Sequence, residues 1–519
     1  MDNDAAHHAD MALNMYRSGD YFHLYDNGSD YLDKPHLHFW LCALSYRIFG
    51  VNTFAYKFPS FIFSIAGLYS VYRLGKDLYN TETGRLSALM MGCSFAFILS
   101  NNDVRMDAIL VACIAFATWK LIAFIQRQKI GDALQASLGL GLAFSSKGLI
   151  GILVPFISAF IYLLQEKKWN LLMSWKWILI PVTTSLFMAP VLYAFYIQFN
   201  LHPEKRVRGM DHVNGVKFIL FGQGVERFGG NIEGQVQRDY LFFVYTFLWA
   251  FAPWSMWVYW AIAKTIRNFF RSRNEWMMVG TVIIVAILIT LAGYKLPHYL
   301  NVVFPVAAVL GSHFIITKAK DQRYQKAFTI ISWINIVSIL LIAFLVNGWL
   351  FPVNNYLIIA LAIGFIVMLI YVLSSRSLTG SSKNIIAPAL ATMFLFFLLN
   401  SNFYPKLLKY QGGNVLARKV EQKIDPQDIY FWKNVYSSSF NFYMNCPRKE
   451  FNDSSLMRNR QTWLLYDVKA EDSILFHGYH LGKEYAAKDF EITMLTLRFL
   501  NPSTRINQCT EMRLAEVTK

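Results

Sequence analysis

The sequence predicts a mainly α-helical, polytopic membrane bundle with a small α/β domain at its C-terminal end. Of 519 residues, 55% are hydrophobic and only 16% are charged, whereas a soluble protein of this length needs more charge to cover its surface. Long apolar runs fill the first 400 residues. Beyond about residue 401 the chain becomes more polar, and its apolar stretches, such as QTWLLYDV and SILFHGYHL, are short. We therefore predict a transmembrane domain over residues 1–400 and an extracytoplasmic domain over residues 401–519.

The apolar runs predict about twelve transmembrane helices, since a spanning helix needs roughly 20 mostly apolar residues. The predicted spans lie near residues 54–73, 86–100, 107–126, 133–146, 149–165, 177–198, 241–263, 277–293, 299–316, 327–347, 355–374 and 386–400. Aromatic residues make up 16% of the chain, which suits the aromatic belts found at bilayer surfaces.

The charges of the loops predict the orientation of these helices. Alternate loops concentrate Lys and Arg, which marks the cytoplasmic side. These cations are Arg73, Lys76, Arg85, Arg127, Lys129, Lys167, Lys168, Lys264, Arg267, Arg271, Arg273, Lys318, Lys320, Arg323, Lys326, Arg376 and Lys383. The opposite set of loops then faces the periplasm, or a lumen in a eukaryote. It comprises residues 1–53, 101–106, 199–240, 294–298 and the tail after about residue 400. On this topology we expect a first transmembrane helix to precede Met1.

The net charge of +16 does not indicate nucleic-acid binding, because the basic residues form no continuous patch. Cys446 and Cys509 lie in the polar tail and could pair in an oxidising compartment. Sequence separation does not establish the geometry of a disulfide, so the pairing stays open.

The first polar cluster on the predicted external side is DAAHHAD. Asp4 begins a stretch with Ala5, Ala9 and Ala12 at helical spacing, which predicts an amphipathic helix at the membrane interface. Asp4 is a candidate catalytic acid or simply a first-turn residue favoured by the helix dipole. His7 and His8 point to different faces of a helix, so we predict no metal site.

Two further clusters place acids and lysines beside apolar runs. YLDKPHLHFWL contains Asp33 and Lys34, and the lysine is either a phosphate ligand or a snorkelling side chain. NNDVRMDAIL places Asp107 at the start of an apolar helix, as a second catalytic carboxylate or a first-turn acid. Lys147, in SSKGLIGILVP, lies in a polar break between apolar runs, either as an anion ligand or as a charged turn.

The remaining candidates are cations and a phenol in external loops. Arg227, in GVERFGG, can bind phosphate oxygens in a bidentate manner or be a solvated loop residue. GYKLPHYLNVVFP brings Lys295, His298 and Tyr299 to one tight turn, where they could hold a phosphate or anchor the helix at the interface. All of these clusters fall on the less basic side of the predicted topology.

Together the clusters resemble the bacterial aminoarabinose transferases and protein O-mannosyltransferases of the GT-C glycosyltransferase superfamily. The resemblance runs from Asp4 to about Pro405. It is carried, in family order, by DAAHHADMALNMYRSGDY, YLDKPHLHFWLCALSYRIFG, MDAIL, SKGLIGILVP, ERFGG, FAPWSMW and KLPHYLNVVFP. Each block is weak alone, but the combination is specific. The resemblance also implies a first transmembrane helix, in line with the expectation that one precedes Met1.

The resemblance implies a cavity at the outer face, amphipathic helices in a first external loop over residues 1–53, and a polyprenyl-phosphate sugar donor that enters from the bilayer. By position it assigns catalytic roles to Asp4, Asp107 and Asp33, and lipid-phosphate binding to Lys34, Arg227 and Tyr299. Ala5, His8 and His36 depart from the family pattern, which leaves the acceptor open.

The predicted activity is inverting sugar transfer at the periplasmic face of the inner membrane, by general-base catalysis and without a cofactor. The expected partners are the lipid donor, a lipid A-like, glycan or protein acceptor, and the bilayer. The alternative is a transporter or flippase for a lipid-linked or polar solute, and a non-catalytic receptor is a third hypothesis. The sequence shows no internal repeat and no nucleotide-binding loop, both of which count against transport.

Overall fold

The computed structural model describes residues 3–229, 239–268, 276–319, 321–433, 435–446, 448–453 and 461–519. Most of these residues are helical, and a four-stranded sheet lies in the C-terminal region. The predicted fold class is therefore confirmed. Of the loop cations used to predict the orientation, Arg271, Arg273 and Lys320 lie outside the described residues.

The helices of the first third of the chain surround the candidate active site. They are α1 (Asn3–Ser18), α2 (Leu37–Phe49), α3 (Thr53–Leu78), α4 (Thr81–Gly92), α5 (Phe95–Asn102), α6 (Asp107–Arg127), α7 (Ile130–Lys147) and α8 (Ile150–Glu166). Between α1 and α2 a small hairpin pairs β1 (Tyr25–Asp26) with β2 (Ser29–Asp30). Its turn, Asn27–Gly28, has positive φ at both residues, as tight hairpin turns require.

The second group of helices completes the bundle. It comprises α9 (Lys176–Phe195), α10 (Gly215–Lys217), α11 (Gln223–Gly229), α12 (Phe242–Ala250), α13 (Ser255–Arg267), α14 (Trp276–Thr290), α15 (Phe304–Lys318), α16 (Gln322–Phe344), α17 (Tyr356–Ser374) and α18 (Gly380–Leu398). A 3₁₀ segment, Pro297–Val303, leads into α15.

Six helices of the described chain are long and apolar enough to cross a membrane, and a seventh arises if α4 and α5, bent by 54°, count as one span. The six are Asp107–Arg127, Lys176–Asn200, Pro297–Lys318, Gln322–Leu350, Tyr356–Ser374 and Gly380–Tyr410. The helices α8 and α14 are apolar but shorter. The region predicted as one span at 241–263 forms two helices, α12 and α13, on either side of Pro253. The total of about twelve spans stays a prediction.

Helix α6 is the centre of the bundle and packs against α3, α7 and α8. An apolar 18-residue stretch of α6 is 94% buried inside the protein, whereas the corresponding stretch of α17 is 11% buried. Small residues let the neighbours approach α6 closely, as in other membrane helices: Gly67 of α3 lies against Ala112, and Gly139 of α7 lies against Ala117. The start of α6, at Asp107, is therefore surrounded by protein.

The C-terminal region is a mixed sheet with short helices. Its strands β3 (Ile429–Phe431), β4 (Thr462–Asp467), β5 (His480–Asp489) and β6 (Thr510–Thr518) lie in the order β3-β4-β6-β5, with only the β3–β4 pair parallel. Its helices are α19 (Tyr404–Leu407), α20 (Gly412–Val420), α21 (Ser438–Met444), α22 (Glu471–Phe476) and α23 (Leu497–Leu500). The apolar segments QTWLLYDV and SILFHGYHL contribute β4 and the turn between α22 and β5, as expected of a small α/β unit.

The first loop and the C-terminal region contact each other. Helix α1 packs against α2 and α21, the Asn441 amide donates to the Asp10 carboxylate at 3.3 Å, and the Arg17 guanidinium donates to Asn445. The span Gly380–Tyr410 runs continuously past residue 400, so the boundary at 400/401 stays a prediction. Cys446, which is buried, and Cys509 are both free thiols, so the structure gives the pairing that was left open no support.

The α3–α4 hairpin depends on a glycine. Asn80 accepts a hydrogen bond from the Thr83 amide and caps α4, which is the usual role of Asn before a helix. A Cβ at Gly84 would meet the carbonyl oxygen of Tyr72 and the amide nitrogen of Lys76, both backbone atoms of α3. The two helices can lie this close only because residue 84 has no side chain.

We expect Gly84→Ala to destabilise the protein by about 1–3 kcal/mol through overpacking. Gly364→Ala is the matched control, because Gly364 also lies in a transmembrane helix and a Cβ there meets nothing within 4 Å. Thermal unfolding of the purified protein checks this. Equal unfolding midpoints for the two variants would contradict the proposed close contact.

Candidate active site

A cavity of about 440 Å³, here the narrow cavity, lies where α6, α7, α11 and the Pro297–Val303 segment meet. One part of its wall is apolar and includes Leu149, Ile150, Leu153, Phe156, Leu220 and Leu288. Polar side chains gather on the remaining wall: Asp107, Lys147, Gln223, Arg227, His298 and Tyr299. The cavity therefore combines a long apolar surface with a compact polar end, a combination that suits an amphiphilic ligand.

Two helix ends supply the ion pair of the narrow cavity. Asp107 is the first residue of α6 and Lys147 is the last of α7, so each charge lies at the helix end that favours it. Lys147 Nζ lies 2.6 Å from Asp107 Oδ1, and both side chains are nearly buried. Because each group is paired with the other, this geometry can hold a carboxylate and an ammonium at membrane depth.

Tyr299 lies between two cations of the same cavity. Its hydroxyl accepts a hydrogen bond from the Arg227 guanidinium. Arg227 Cζ and Lys147 Nζ each lie 5.4 Å from the centre of its ring, within the range of a cation–π contact. The phenol therefore lies between the two positive charges, and both charges border the cavity.

Lys34 lies beside this group, although not on the cavity wall itself. Among the described residues its ammonium has no hydrogen-bond or ion-pair partner, and the charges that act on it are Arg227, Lys147, Asp33 and Asp107. Removal from water, together with the two neighbouring cations Arg227 and Lys147, lowers the pKa of Lys34 to about 7. Because that pKa is near neutrality, an anion placed there would bind best while Lys34 is protonated.

A single arginine holds the acids that flank these cations. Arg208 Nη1 lies 2.9 Å from Asp33 Oδ1 and 3.1 Å from Glu226 Oε2. Asp33 precedes Lys34 in the chain, and Glu226 precedes Arg227. In addition, the Gln223 amide donates to the backbone carbonyl of Asp33. Arg208 therefore joins the two segments that carry the candidate phosphate-binding cations and keeps their acids occupied.

A second cavity of about 750 Å³, here the wide cavity, adjoins the narrow one. The two share Asp107 and His298 on their walls. The wide cavity extends past Arg105 to Thr493 of the C-terminal region. Its wall is more polar, with Lys57, Asn102, Asp103, Asn301 and Asn400 among its members.

Arg105 connects Asp4 to the wide cavity. Arg105 Nη1 lies 2.8 Å from Asp4 Oδ2, and Arg105 Nε lies 3.2 Å from Asp103 Oδ2. The Asp4 side chain is 57% exposed, so it is open to an incoming molecule. Asp4 belongs to α1, a helix whose residues are mostly buried against protein, whereas the sequence predicted an amphipathic helix at the membrane interface.

The structure thus brings together most of the residues singled out in the sequence. Lys295 is 3% exposed and, like Asp4, Asp33 and Lys34, lies on the wall of neither cavity. Sequence reasoning missed Arg208, Gln223 and Lys57. Arg208 and Gln223 come from the long polar loop, where no motif distinguished them, and Lys57 was taken as part of an apolar span. The described residues contain no group of three or more His, Cys, Asp or Glu side chains placed to hold a metal.

Comparison with known proteins identifies a family and several relatives that this chain resembles. Residues 33–193 match the family described as dolichyl-phosphate-mannose-protein mannosyltransferase. An undecaprenyl phosphate-α-4-amino-4-deoxy-L-arabinose arabinosyl transferase of Wigglesworthia glossinidia brevipalpis is 22% identical over 423 residues, which cover 78% of this chain and 72% of that protein. The protein of the same description from Pseudomonas fluorescens, numbered 1, is 21% identical, with 62% of this chain and 54% of that protein aligned.

Solved structures agree on the fold. The crystal structure of ArnT from Cupriavidus metallidurans bound to undecaprenyl phosphate has a TM-score of 0.73 at 15% identity, over 99% of this chain and 93% of that one. Its apo form gives a TM-score of 0.70. The order of the sequence blocks, the shared fold and the partial family match lead to one conclusion: this chain is a membrane glycosyltransferase that resembles the aminoarabinose transferases and protein O-mannosyltransferases.

Proposed function

We propose that this enzyme transfers a sugar from a polyprenyl-phosphate donor to a lipid A-like, glycan or protein acceptor, at the periplasmic face of the inner membrane. The observation that carries the proposal is the narrow cavity, whose apolar wall ends at Lys147, Arg227 and Tyr299. A polyprenyl chain fits an apolar wall, and its phosphate fits the cations at the end. The relatives named after undecaprenyl phosphate sugars, and the fold neighbour solved with undecaprenyl phosphate, support this donor class.

The donor phosphate is the leaving group of the reaction, so its negative charge grows as the glycosidic bond breaks. Lys34, Arg227 and Tyr299 would stabilise that charge electrostatically, which is commonly the largest contribution to such catalysis. Lys147 lies on the same wall and would add to the positive field, while His298, also on that wall, could donate a ring N–H to the phosphate. Lys295, like Lys34, lies off both cavity walls, and its contact with the phosphate stays a prediction.

The acceptor would enter the wide cavity and meet the donor where the two cavities join. Asp4 would act there as general base or orient the acceptor, with Arg105 holding the carboxylate in place. Asp107 lies on both walls and pairs with Lys147, so we assign it the orientation of the sugar and of that lysine. Asp33, held by Arg208, positions Lys34. Attack from the side opposite the phosphate inverts the anomeric carbon.

A transporter or flippase is not favoured. The polar groups concentrate at one end of the spans, where Asp107 and the Pro297–Val303 segment begin. Membranes supplied with a labelled polyprenyl-phosphate sugar and candidate acceptors separate the two functions. Movement of label from the lipid to an acceptor supports transfer, whereas label that only changes leaflet supports transport.

We expect Asp4→Asn to lower the transfer rate by about 10²–10⁴-fold, the usual contribution of a general base, with membrane insertion unchanged. Asp472→Asn is the matched control, because Asp472 is an exposed first-turn acid of α22. Initial rates with labelled donor measure the effect. Full activity of Asp4→Asn would remove this carboxylate from the mechanism.

The pKa of Lys34 predicts a pH dependence for donor binding. Since that pKa is lowered to about 7, Lys34 loses its positive charge as the pH rises through 7. We expect the KM for donor to increase from pH 6 to pH 9, approaching tenfold per unit at the upper end. Lys34→Arg should flatten the profile, because guanidinium stays charged. A Lys34→Arg profile as steep as that of the wild type would mean that another group titrates.

Arg208→Gln tests the positioning of the two cations. Both ion pairs of Arg208 are partly exposed, so we expect a three- to tenfold increase in the KM for donor, about 1 kcal/mol, with a smaller change in kcat. Arg206→Gln is the control, because its pair with Asp211 is longer, at 3.7 Å, and well exposed. A change confined to kcat, or an equal change in both variants, would contradict the positioning role.

A further inference from the structure

A third cavity lies outside the proposed active site, between the membrane helices and the C-terminal sheet. Its volume is about 740 Å³. Phe351 and Pro352, after the span Gln322–Leu350, form one side, and Ala486 and Ala487 of β5 form another. We call it the basic cavity because of the side chains that complete its wall.

Four lysines line this cavity, Lys406, Lys409, Lys419 and Lys488. Within the described part of the chain none of them has an ion-pair partner. Lys406 donates to the Pro352 carbonyl, and Lys419 donates to the Ala486 carbonyl at 2.7 Å. Both ammonium groups therefore span the gap between different wall segments without being neutralised.

The remaining charges of the wall leave it positive. Arg505 donates to the backbone carbonyls of Leu350 at 2.7 Å, Leu500 at 2.8 Å and Phe499 at 3.0 Å, so its charge also meets no carboxylate. The carboxylate of Glu511, the acid that the described residues contribute to the wall, lies 3.0 Å from Arg513. Five cations thus face one acid that already has a partner, an arrangement that an anion would stabilise.

The basic cavity lies at the same end of the spans as the active site. Asn400 and Tyr404 are on the wall of the wide cavity, together with Asp107. Lys406 and Lys409, only a few residues further along the same span, are on the wall of the basic cavity. The spans Gln322–Leu350 and Gly380–Tyr410 end there, which is the level at which lipid headgroups lie.

We propose that the basic cavity binds the phosphate-bearing headgroup of an anionic membrane lipid and so fastens the C-terminal region to the membrane helices. A lipid fits better than a soluble anion, because the cavity lies at the ends of two spans, where lipid headgroups lie. Lysines bind phosphate as point charges. This site is separate from sugar transfer and does not depend on the proposed donor or acceptor.

The test uses the full chain in nanodiscs of phosphatidylcholine, with or without phosphatidylglycerol. We expect the wild type to retain phosphatidylglycerol selectively in native mass spectrometry and to unfold at a higher temperature when that lipid is present. Lys409→Gln/Lys488→Gln should weaken phosphatidylglycerol binding about 25-fold, since one lysine near an anionic surface contributes about fivefold. Its unfolding midpoint in phosphatidylcholine alone shows whether the variant is folded.

Lys433→Gln/Lys483→Gln is the matched control, because it removes the same charge from two exposed lysines of the C-terminal region that do not line the cavity. This control should keep both the lipid selectivity and the thermal shift. Equal behaviour of the two double variants would overturn the proposal. A second experiment adds inorganic phosphate to the protein in detergent. If phosphate alone raises the unfolding temperature, and the rise depends on Lys409 and Lys488, the ligand is a soluble anion and the lipid assignment is wrong.

Discussion

The ion pair of Asp107 and Lys147 is the constraint on which the site depends. An isolated charge at membrane depth is expensive, and this pair brings one of each sign to the meeting point of α6 and α7 at 2.6 Å. The pair can form there because Gly139 allows α7 to approach α6 closely and because each charge lies at its favoured helix end. Helix packing therefore decides where the chemistry can occur.

The same pair leaves the surrounding site short of negative charge. Asp107 is committed to Lys147, while Lys34 has no direct partner among the described residues and Arg227 bonds to a neutral phenol. The acids next to these cations in the chain, Asp33 and Glu226, are both held by Arg208. A site that diverts its own carboxylates in this way favours an anionic ligand, and a phosphate supplies the missing charge.

Much of the site could be predicted from the sequence, because its residues lie at the ends of apolar runs. Asp107 and Tyr299 stand out as polar groups that begin a span, and polar groups that face a cavity at membrane depth are often functional. Arg208 could not be found in this way, since it comes from a long loop and acts through a turn that local sequence does not specify. The position of α1 was equally hidden, because contacts with the distant α21 fix it.

The span count shows the opposite limit of sequence patterns. Apolar composition alone does not distinguish one span from two shorter helices. The stretch 241–263, predicted as one span, is divided at Pro253 into α12 and α13, since proline interrupts a helix. In this protein, irregular segments of this kind lie beside the candidate active site. The bend between α4 and α5 and the 3₁₀ segment Pro297–Val303 both border the wide cavity. Irregular backbone at membrane depth is tolerated where it lines a polar cavity, so the places at which the helical pattern fails are the places at which a polar chamber can open.

The arrangement of the two cavities constrains the order of events at the site. They meet at Asp107 and His298, so a sugar carried on a lipid in the narrow cavity would be presented to the wide one at that junction. The apolar wall excludes water from the donor side, while Asp4 and Arg105 remain accessible on the other side. A lipid phosphate that neutralises Lys34 and Arg227 would also lower the positive field felt by Asp107. Binding of the donor would thereby prepare the junction for the acceptor, because the charge that the site lacks arrives with the donor.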